Sequence, residues 1–292
     1  MTNSPEKWRL LRTQPAVGAW NMAVDEAILE STAQGNMPPT LRLYAWSPAC
    51  LSIGYAQSID DVDREKLEKL GWDIVRRPTG GRAILHIDEL TYSICGMNSD
   101  PNLAGSILQS YQRLSQGLID ALRRLSITPD IPKLSATQDH QSQENPVCFE
   151  VPSNYEITVG EKKLIGSAQA RKKSGVLQHG TLPIYGDITR IIDVLHYPEE
   201  SLKEQARIRL LDHATTVESV LGYAGDWWIA SYAFEQAFQK GLNIEFQVMD
   251  LTPAEGSRAL DLFNEKYNHP DWTERRLSKK FYFSPNQNLA IF

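Results

Sequence analysis

Short stretches in which apolar and polar residues alternate are interleaved with longer stretches of helical period along this 292-residue chain. Residues 41–46 alternate as a β-strand does, and residues 72–75 have the character of a second strand. Residues 103–125 place their apolar side chains on one face of a long helix. Because helices and strands are mixed along the chain, we expect one α+β domain over residues 1–292, with a helical C-terminal part from about residue 215.

The composition of the chain limits the classes of function that it can have. Hydrophobic residues make up 41% of the chain and charged residues 23%, which is typical of a globular protein with a full core. The formal net charge of −6 argues against a general nucleic-acid binder. The three cysteines are widely separated, and the first residues contain no apolar signal core, so we expect a cytoplasmic protein that does not enter a membrane.

The segment from Cys148 to Gln169 carries the most chemistry. A polar, aperiodic stretch at 135–145 leads to Cys148, and a β-hairpin pattern at 155–165 then places Lys163 beside a run of small residues, which are Gly166, Ser167 and Ala168. A thiol near an ammonium group is a usable nucleophile, because the cation stabilises the thiolate. The local residues alone leave open whether Cys148 is reactive or structural.

A second segment, residues 76–82, contains paired glycines between arginines. Gly80 and Gly81 allow the backbone to approach a ligand closely, while Arg76 and Arg82 could bind a phosphate or an acyl carbonyl. The loop lacks the Gly-Lys-Ser/Thr ending of a P-loop and is not a dinucleotide fingerprint. A tight connection without a ligand would explain the glycines equally well.

The remaining candidate site residues give weaker signals when each is considered alone. His86 and His179 belong to no metal-ligand pattern, and each favours a hydrogen-bonded structural role. A Cys148/His179 dyad of a hydrolase is conceivable, because a base beside a thiol activates it. Cys50 and Cys95 are best explained as structural residues.

Together, residues 76–86, 160–169 and 179–182 resemble the signatures of the lipoate- and biotin-protein ligase superfamily, in the same order. The resemblance extends from about residue 21 to residue 267. It implies a class II synthetase-like biotin/lipoate ligase catalytic domain, a mixed β-sheet core flanked by helices. The substrate-binding residues that it implies are Arg76, Gly80, Gly81, Arg82, His86, Gly166, Ser167, Ala168 and His179.

Two details select a branch of that superfamily. Arg82 stands where the ATP-using ligases carry a third glycine, and Cys148 precedes the hairpin lysine as in the octanoyltransferases of the Bacillus type. The resemblance implies that Cys148 forms an acyl thioester and that Lys163 lowers the pKa of its thiol. It also implies transfer of an octanoyl group from acyl carrier protein to a lysine of a lipoyl domain or of a glycine-cleavage H-type protein, without ATP or metal.

Three alternatives stay open at this point. An ATP-dependent lipoate-protein ligase would work through lipoyl-adenylate held by Lys163 and the glycine loop. The octanoyl donor could be another carrier domain rather than acyl carrier protein. A binding module without activity would keep the fold but would not need both Cys148 and Lys163.

Overall fold

The computed structural model describes residues 4–130, 157–172 and 174–275, together with the backbone of residues 289–290. The strands are β1 (Glu6–Arg12), β2 (Thr40–Tyr44), β3 (Cys50–Ile53), β4 (Asp73–Arg76), β5 (Ile84–His86), β6 (Glu89–Met97), β7 (Ile157–Val159), β8 (Lys162–Lys172), β9 (Gly175–Pro183), β10 (Ile244–Val248) and β11 (Leu289–Ala290). The α-helices are α1 (Gly18–Ala33), α2 (Arg64–Lys69), α3 (Ile107–Arg124), α4 (Glu200–His213), α5 (Val217–Leu221), α6 (Trp227–Leu242), α7 (Pro253–Leu262) and α8 (Pro270–Thr273).

A mixed sheet organises the fold. Its strand order is β10-β1-β2-β6-β9-β8-β11, with β7 paired to β8, and a smaller sheet has the order β4-β3-β5. Strand β1 runs parallel to both β10 and β2, whereas β6, β9 and β8 form an antiparallel run. The small sheet carries the glycine loop between β4 and β5, so the loop enters the structure from outside the main sheet.

Helices cover both faces of the main sheet. On one face, α3 and α6 contribute Leu114, Leu118, Phe234 and Phe238 to the largest hydrophobic cluster. On the other face, α1 and α7 pack against buried residues of β1, β6 and β9 in a second cluster. This arrangement confirms the expected mixed β-sheet core flanked by helices.

Local signals explain where several elements begin. The long helix starts at Ile107 rather than at 103, because Ser106 and Gln109 form a capping box that satisfies the first free N–H groups. Thr252 and Glu255 cap α7 in the same way. A 3₁₀ segment, Ile188–Val194, begins where the Asp187 side chain accepts a hydrogen bond from the N–H of Thr189. Strand β1 carried no recognised sequence signal.

The predicted hairpin is present and longer than expected, because β8 continues through the small residues to Lys172. The polar segment 135–145, Cys148 and the expected strand at 280–283 lie outside the described residues. The single-domain assignment stays a prediction. Within the described part of the chain, no helix combines the length and the apolar character needed to cross a bilayer.

Candidate active site

A cavity lies on the α1 side of the main sheet and brings distant parts of the chain together. We call it the central cavity, and its empty volume is about 440 Å³. Its wall contains six of the residues expected at the site, which are Gly81, His86, Gly166, Ser167, Ala168 and His179. Apolar side chains of Met22, Tyr44 and Trp46 complete much of the wall. A largely apolar cavity with a few polar groups is typical of a small-molecule site.

The glycine loop is shaped by a close backbone contact. Gly81 has a φ of +96°, a conformation that favours glycine. A Cβ atom built on Gly54 would lie 1.8 Å from the carbonyl oxygen of Gly81. The loop can therefore reach the cavity only because Gly54, at the end of β3, has no side chain.

Arg77 holds this loop from inside. Its guanidinium group donates to the carbonyl oxygen of Gly80 at 2.8 Å and to that of Arg82 at 2.7 Å. It also donates to the backbone and side chain of Ser52 on β3. Arg77 lines the central cavity. It was not among the expected site residues, although it lies within the signature segment of residues 76–86.

Arg76 has a different environment. Its side chain is fully buried, and its guanidinium group donates to the carbonyl oxygens of Gly54, Gln57 and Thr273 at 2.9, 2.6 and 2.8 Å. The structure brings Arg76 to the C-terminal helix α8 and not to the wall of the central cavity. Neighbouring residues on a strand point to opposite sides, which separates Arg76 from Arg77. Gly80 and Arg82 belong to the loop but are likewise not part of that wall.

His86 is held rigidly at the end of β5. Its Nδ1 lies 2.7 Å from a carboxylate oxygen of Glu89, and its Nε2 lies 2.8 Å from the hydroxyl oxygen of Ser52. The imidazole stacks on Trp46 with ring centroids 4.0 Å apart and planes 11° from parallel. Both ring nitrogens are thus engaged within the fold, and His86 forms part of the cavity wall.

His179 lies at the opposite wall, on β9. Its Nε2 is 2.5 Å from the hydroxyl of Thr79 in the glycine loop, and its Nδ1 is 3.6 Å from a carboxylate oxygen of Asp25. Burial lowers the pKa of His179, so the ring is neutral near pH 7. For Asp25, burial raises the pKa, but the positive charge of Arg42 and the hydrogen bonding from His179 and Arg42 outweigh burial, so the pKa is lowered overall. His179 thereby links the loop to helix α1.

The small residues of β8 form the floor beside His179. Ala168 pairs with His179 across the strands, and Gly166 pairs with Thr181. The hydroxyl of Ser167 instead bonds the hydroxyl of Tyr92 at 2.7 Å, on the face where α6 packs. Gly166 and Ala168 therefore leave space on the cavity side of the sheet, because larger side chains there would fill it.

Lys163 lies earlier on the same strand. Its side chain is only 2% exposed, and its backbone carbonyl accepts a hydrogen bond from the N–H of Thr215. Lys163 differs in its burial from its neighbour Lys162, whose ammonium group donates to the carbonyl of Leu211 near the surface. Cys148 lies outside the described residues, so the distance between the two expected catalytic groups is not defined.

Cys50 and Cys95 match the structural role expected for them. Both thiols are fully buried, and burial raises their pKa well above the ordinary value. Neither can supply a thiolate at neutral pH. Among the described residues, His, Cys, Asp and Glu form no cluster of three or more that could hold a metal ion.

Residues 18–240 match the family "Lipoyl protein ligase A/B catalytic domain". The chain belongs to this family. The octanoyltransferase LipM of Brevibacillus brevis is 36% identical over 275 residues, which cover 93% of this chain and all of that protein.

Solved structures agree with the family assignment. A bipartite lipoate protein ligase from Thermoplasma acidophilum, described with its E2 lipoyl domain, has a TM-score of 0.77 at 26% identity and covers 95% of this chain and 99% of its own. A lipoate-protein ligase A bound with ATP has a TM-score of 0.75, also at 26% identity, over 93% of this chain and all of its own. The fold is thus shared with ligases, whereas the full-length sequence relative is a transferase.

Proposed function

We propose that this octanoyltransferase moves an octanoyl group from acyl carrier protein, through a thioester on Cys148, to a lysine of a lipoyl-accepting domain. Octanoyl transfer in lipoate biosynthesis follows from the family and from the full-length octanoyltransferase relatives. The donor, the thioester and the roles of individual residues are the proposal.

The observation that carries the proposal is the central cavity itself. Its apolar wall, made by Met22, Tyr44 and Trp46, suits an unbranched acyl chain, which has no polar group to pair. Gly81 and Gly166 bring backbone without a side chain to two sides of the cavity, where an acyl carbonyl would need hydrogen-bond donors.

The chemistry proceeds in two acyl transfers. The Cys148 thiolate attacks the carbonyl carbon of the donor thioester, a new C–S bond forms, and the C–S bond to the carrier thiol breaks. The acceptor amine then attacks the enzyme thioester, an amide C–N bond forms as the C–S bond to Cys148 breaks, and the proton lost by the amine returns the Cys148 sulfur to the thiol. The first step exchanges one thioester for another and is close to neutral in free energy, so it needs no ATP.

Lys163 supports the first step. A free cysteine has a pKa of about 8.5, so only a few per cent is thiolate near pH 7. A nearby ammonium group lowers that pKa and raises the thiolate fraction. The burial of Lys163 in β8 supports this role, because a buried charge acts more strongly on its neighbours than a solvated one.

The ATP-dependent ligase is the second candidate function, because a lipoate-protein ligase A bound with ATP has the same fold as this chain. Arg82 and Cys148 argue against it, because a ligase that forms an acyl-adenylate needs no acyl-accepting thiol.

A lipoyl-type domain as acceptor agrees with the ligase relative described with its E2 lipoyl domain. The free thiols of Cys50 and Cys95 and the wide spacing of the three cysteines in the sequence support a cytoplasmic location.

Intact-mass measurement tests the proposal. The protein is incubated with octanoyl-acyl carrier protein without ATP, and its mass is recorded before and after hydroxylamine treatment. We expect a hydroxylamine-labile octanoyl adduct that is absent in Cys148→Ala. Cys95→Ala is the matched control, because its buried thiol has a raised pKa, and it should keep the adduct. An adduct that forms only with ATP and a free acid would identify the ligase instead.

A further inference from the structure

A second cavity adjoins the central one, and its role is unassigned. We call it the lateral cavity; it has an empty volume of about 530 Å³ and lies between β5, the end of β9 and the 3₁₀ segment. Its wall includes Ile84, Thr181, Pro183, Tyr185, Ile188 and Ala214. Thr181 is buried at the inner end, while Tyr185 and Asp187 are exposed at the outer end, so the cavity leads from the sheet to solvent.

The two cavities share a wall. Ile84 and Thr181 line both of them. Thr181 pairs across the sheet with Thr91 on one side and with Gly166 on the other, so its side chain lies in the same row as the bare backbone of Gly166. This position is the junction at which a ligand would pass from one cavity into the other.

Thr181 also carries a buried polar atom that needs a partner. Its side chain is 1% exposed, and its hydroxyl oxygen has no hydrogen-bond partner among the described residues. An unsatisfied buried hydroxyl destabilises a folded protein. A ligand that accepts the hydrogen bond of Thr181 would explain why this hydroxyl lies between the two cavities.

The charged groups around the lateral cavity already have hydrogen-bond partners within the fold. Glu89 bonds His86 and Thr91, Asp187 bonds the backbone and hydroxyl of Thr189, and Arg190 bonds Asp88. Among the described residues of the wall, Arg190 is the only cation, and its charge is balanced by Asp88. The cavity therefore suits a neutral chain rather than a triphosphate, which needs uncompensated positive charge.

We propose that the lateral cavity binds the pantetheine-type arm of the acyl donor, and that Thr181 donates its hydroxyl hydrogen to the thioester carbonyl oxygen at the junction. The inference rests on the proposed function. A thioester carbonyl carries an acyl chain on one side and the arm of the carrier on the other. When the acyl chain fills the central cavity, the arm leaves through the adjoining space.

The arrangement fits the first acyl transfer. The bond between the acyl carbon and the sulfur of the arm breaks as the bond to the enzyme sulfur forms. The released arm thiolate takes up the proton that the enzyme thiol has given up, and the neutral arm leaves through the lateral cavity. Thr181 holds the carbonyl during this exchange and neither gains nor loses a proton.

Donors with arms of different length test the cavity. Octanoyl-pantetheine carries the arm, and p-nitrophenyl octanoate carries none. We expect Ile188→Trp, which fills the lateral cavity, to raise KM for octanoyl-pantetheine by about tenfold or more while the rate with p-nitrophenyl octanoate stays within about twofold. Ile208→Trp is the matched control, because Ile208 is 53% exposed on α4 and outside both cavities.

Thr181 is tested separately. Thr181→Val keeps the shape and removes the hydroxyl, and we expect kcat/KM for both donors to fall by about tenfold or more, because the carbonyl is common to them. Thr181→Ser should restore most of the activity. Since removal of an unsatisfied buried hydroxyl stabilises the fold, Thr181→Val should also keep or raise the melting temperature.

Three outcomes would overturn the inference. The first is an equal loss with both donors in Ile188→Trp. The second is a defect confined to transfer from preformed octanoyl-enzyme to a lipoyl domain, which would assign the cavity to the acceptor lysine. The third is ATP binding by the native protein that Ile188→Trp abolishes. Failure of the proposed function itself is distinguishable, because the native protein would then form no octanoyl adduct.

Discussion

Buried charged side chains gather on α1, at the back of the central cavity. Asp25 accepts hydrogen bonds from Arg42, Tyr44 and Ser93, all of them buried. Glu26, one residue on, bonds Lys172, Lys266 and Tyr267 from β8 and the C-terminal region. Two adjacent carboxylates thus connect α1 to the sheet and to the C-terminal part of the fold.

Glu26 should make the stability depend on pH. Burial raises its pKa, but Lys266 and Lys172 outweigh burial and lower the pKa from 4.5 to about 2. A lowered folded-state pKa stabilises the protein fully above the unfolded value, and this stability is lost as pH falls from about 4.5 towards 2. We expect Glu26→Gln to reduce the free energy of unfolding by roughly 3 kcal/mol at pH 7 and by much less near pH 3.

Urea unfolding at pH 7, 4 and 3 measures this effect. Glu30→Gln is the control, because Glu30 pairs with Arg258 where both side chains are partly exposed. It should cost less than about 1 kcal/mol. A difference between native protein and Glu26→Gln that stays constant with pH would contradict the assignment.

Lys163 offers a second test at the scale of single residues. We expect Lys163→Ala to raise the pKa of the Cys148 thiol and to slow its alkylation by iodoacetamide at neutral pH, because the stabilising ammonium group is lost. Lys162→Ala is the matched control on the same hairpin, with its side chain near the surface. Equal alkylation profiles in the two variants would remove Lys163 from its proposed role.

Among the structural elements, the glycine loop depends on its contact with β3. Gly54→Ala would force the carbonyl of Gly81 to move, because a Cβ atom at Gly54 has no space. We expect a loss of octanoyl transfer of at least about tenfold and a stability loss of about 1–3 kcal/mol from overpacking.

Gly256→Ala provides the control for that variant. Gly256 lies within α7, and no atom lies within 4 Å of a Cβ atom built there. Alanine should stabilise the helix by about 0.5–1 kcal/mol and leave activity unchanged. Full activity in Gly54→Ala, measured with the same donor, would show that the loop tolerates the displacement.

Several elements could be predicted because their signals are local. The hairpin and the long helix α3 follow from period and turn residues close in sequence. Strand β1 was missed, although Trp8 and Leu10 are fully buried, because its partners β2 and β10 lie far along the chain. Pairing between strands that are distant in sequence can form a strand where the local alternation of residues does not predict one.

Over the whole molecule, the C-terminal part is joined to the N-terminal part at several places, and two of them involve β10 and α8. β10 pairs with β1 at the edge of the main sheet, and Arg76 donates to backbone carbonyls of Trp272 and Thr273 at α8. The N–H of the Trp272 indole returns a hydrogen bond to the carbonyl of Arg76.

Arg76→Lys tests whether Arg76 holds the molecule together or binds substrate. A lysine cannot reproduce the planar fork that reaches several carbonyls, so we expect a stability loss of about 2–4 kcal/mol. Limited proteolysis should become faster near residues 263–275, while KM for the octanoyl donor stays within about twofold. A raised KM at native stability would restore Arg76 as a substrate-binding residue.

The sequence by itself determined the family, the glycine loop, the hairpin and six of the residues around the central cavity, because each depends on neighbours in the chain. Only the tertiary structure decided which side chains face that cavity. Arg77 lines it where Arg76 does not, and Thr181 joins it to the lateral cavity. Successive residues of a strand point to opposite faces, and which face meets helix α1 depends on pairing between strands far apart in sequence.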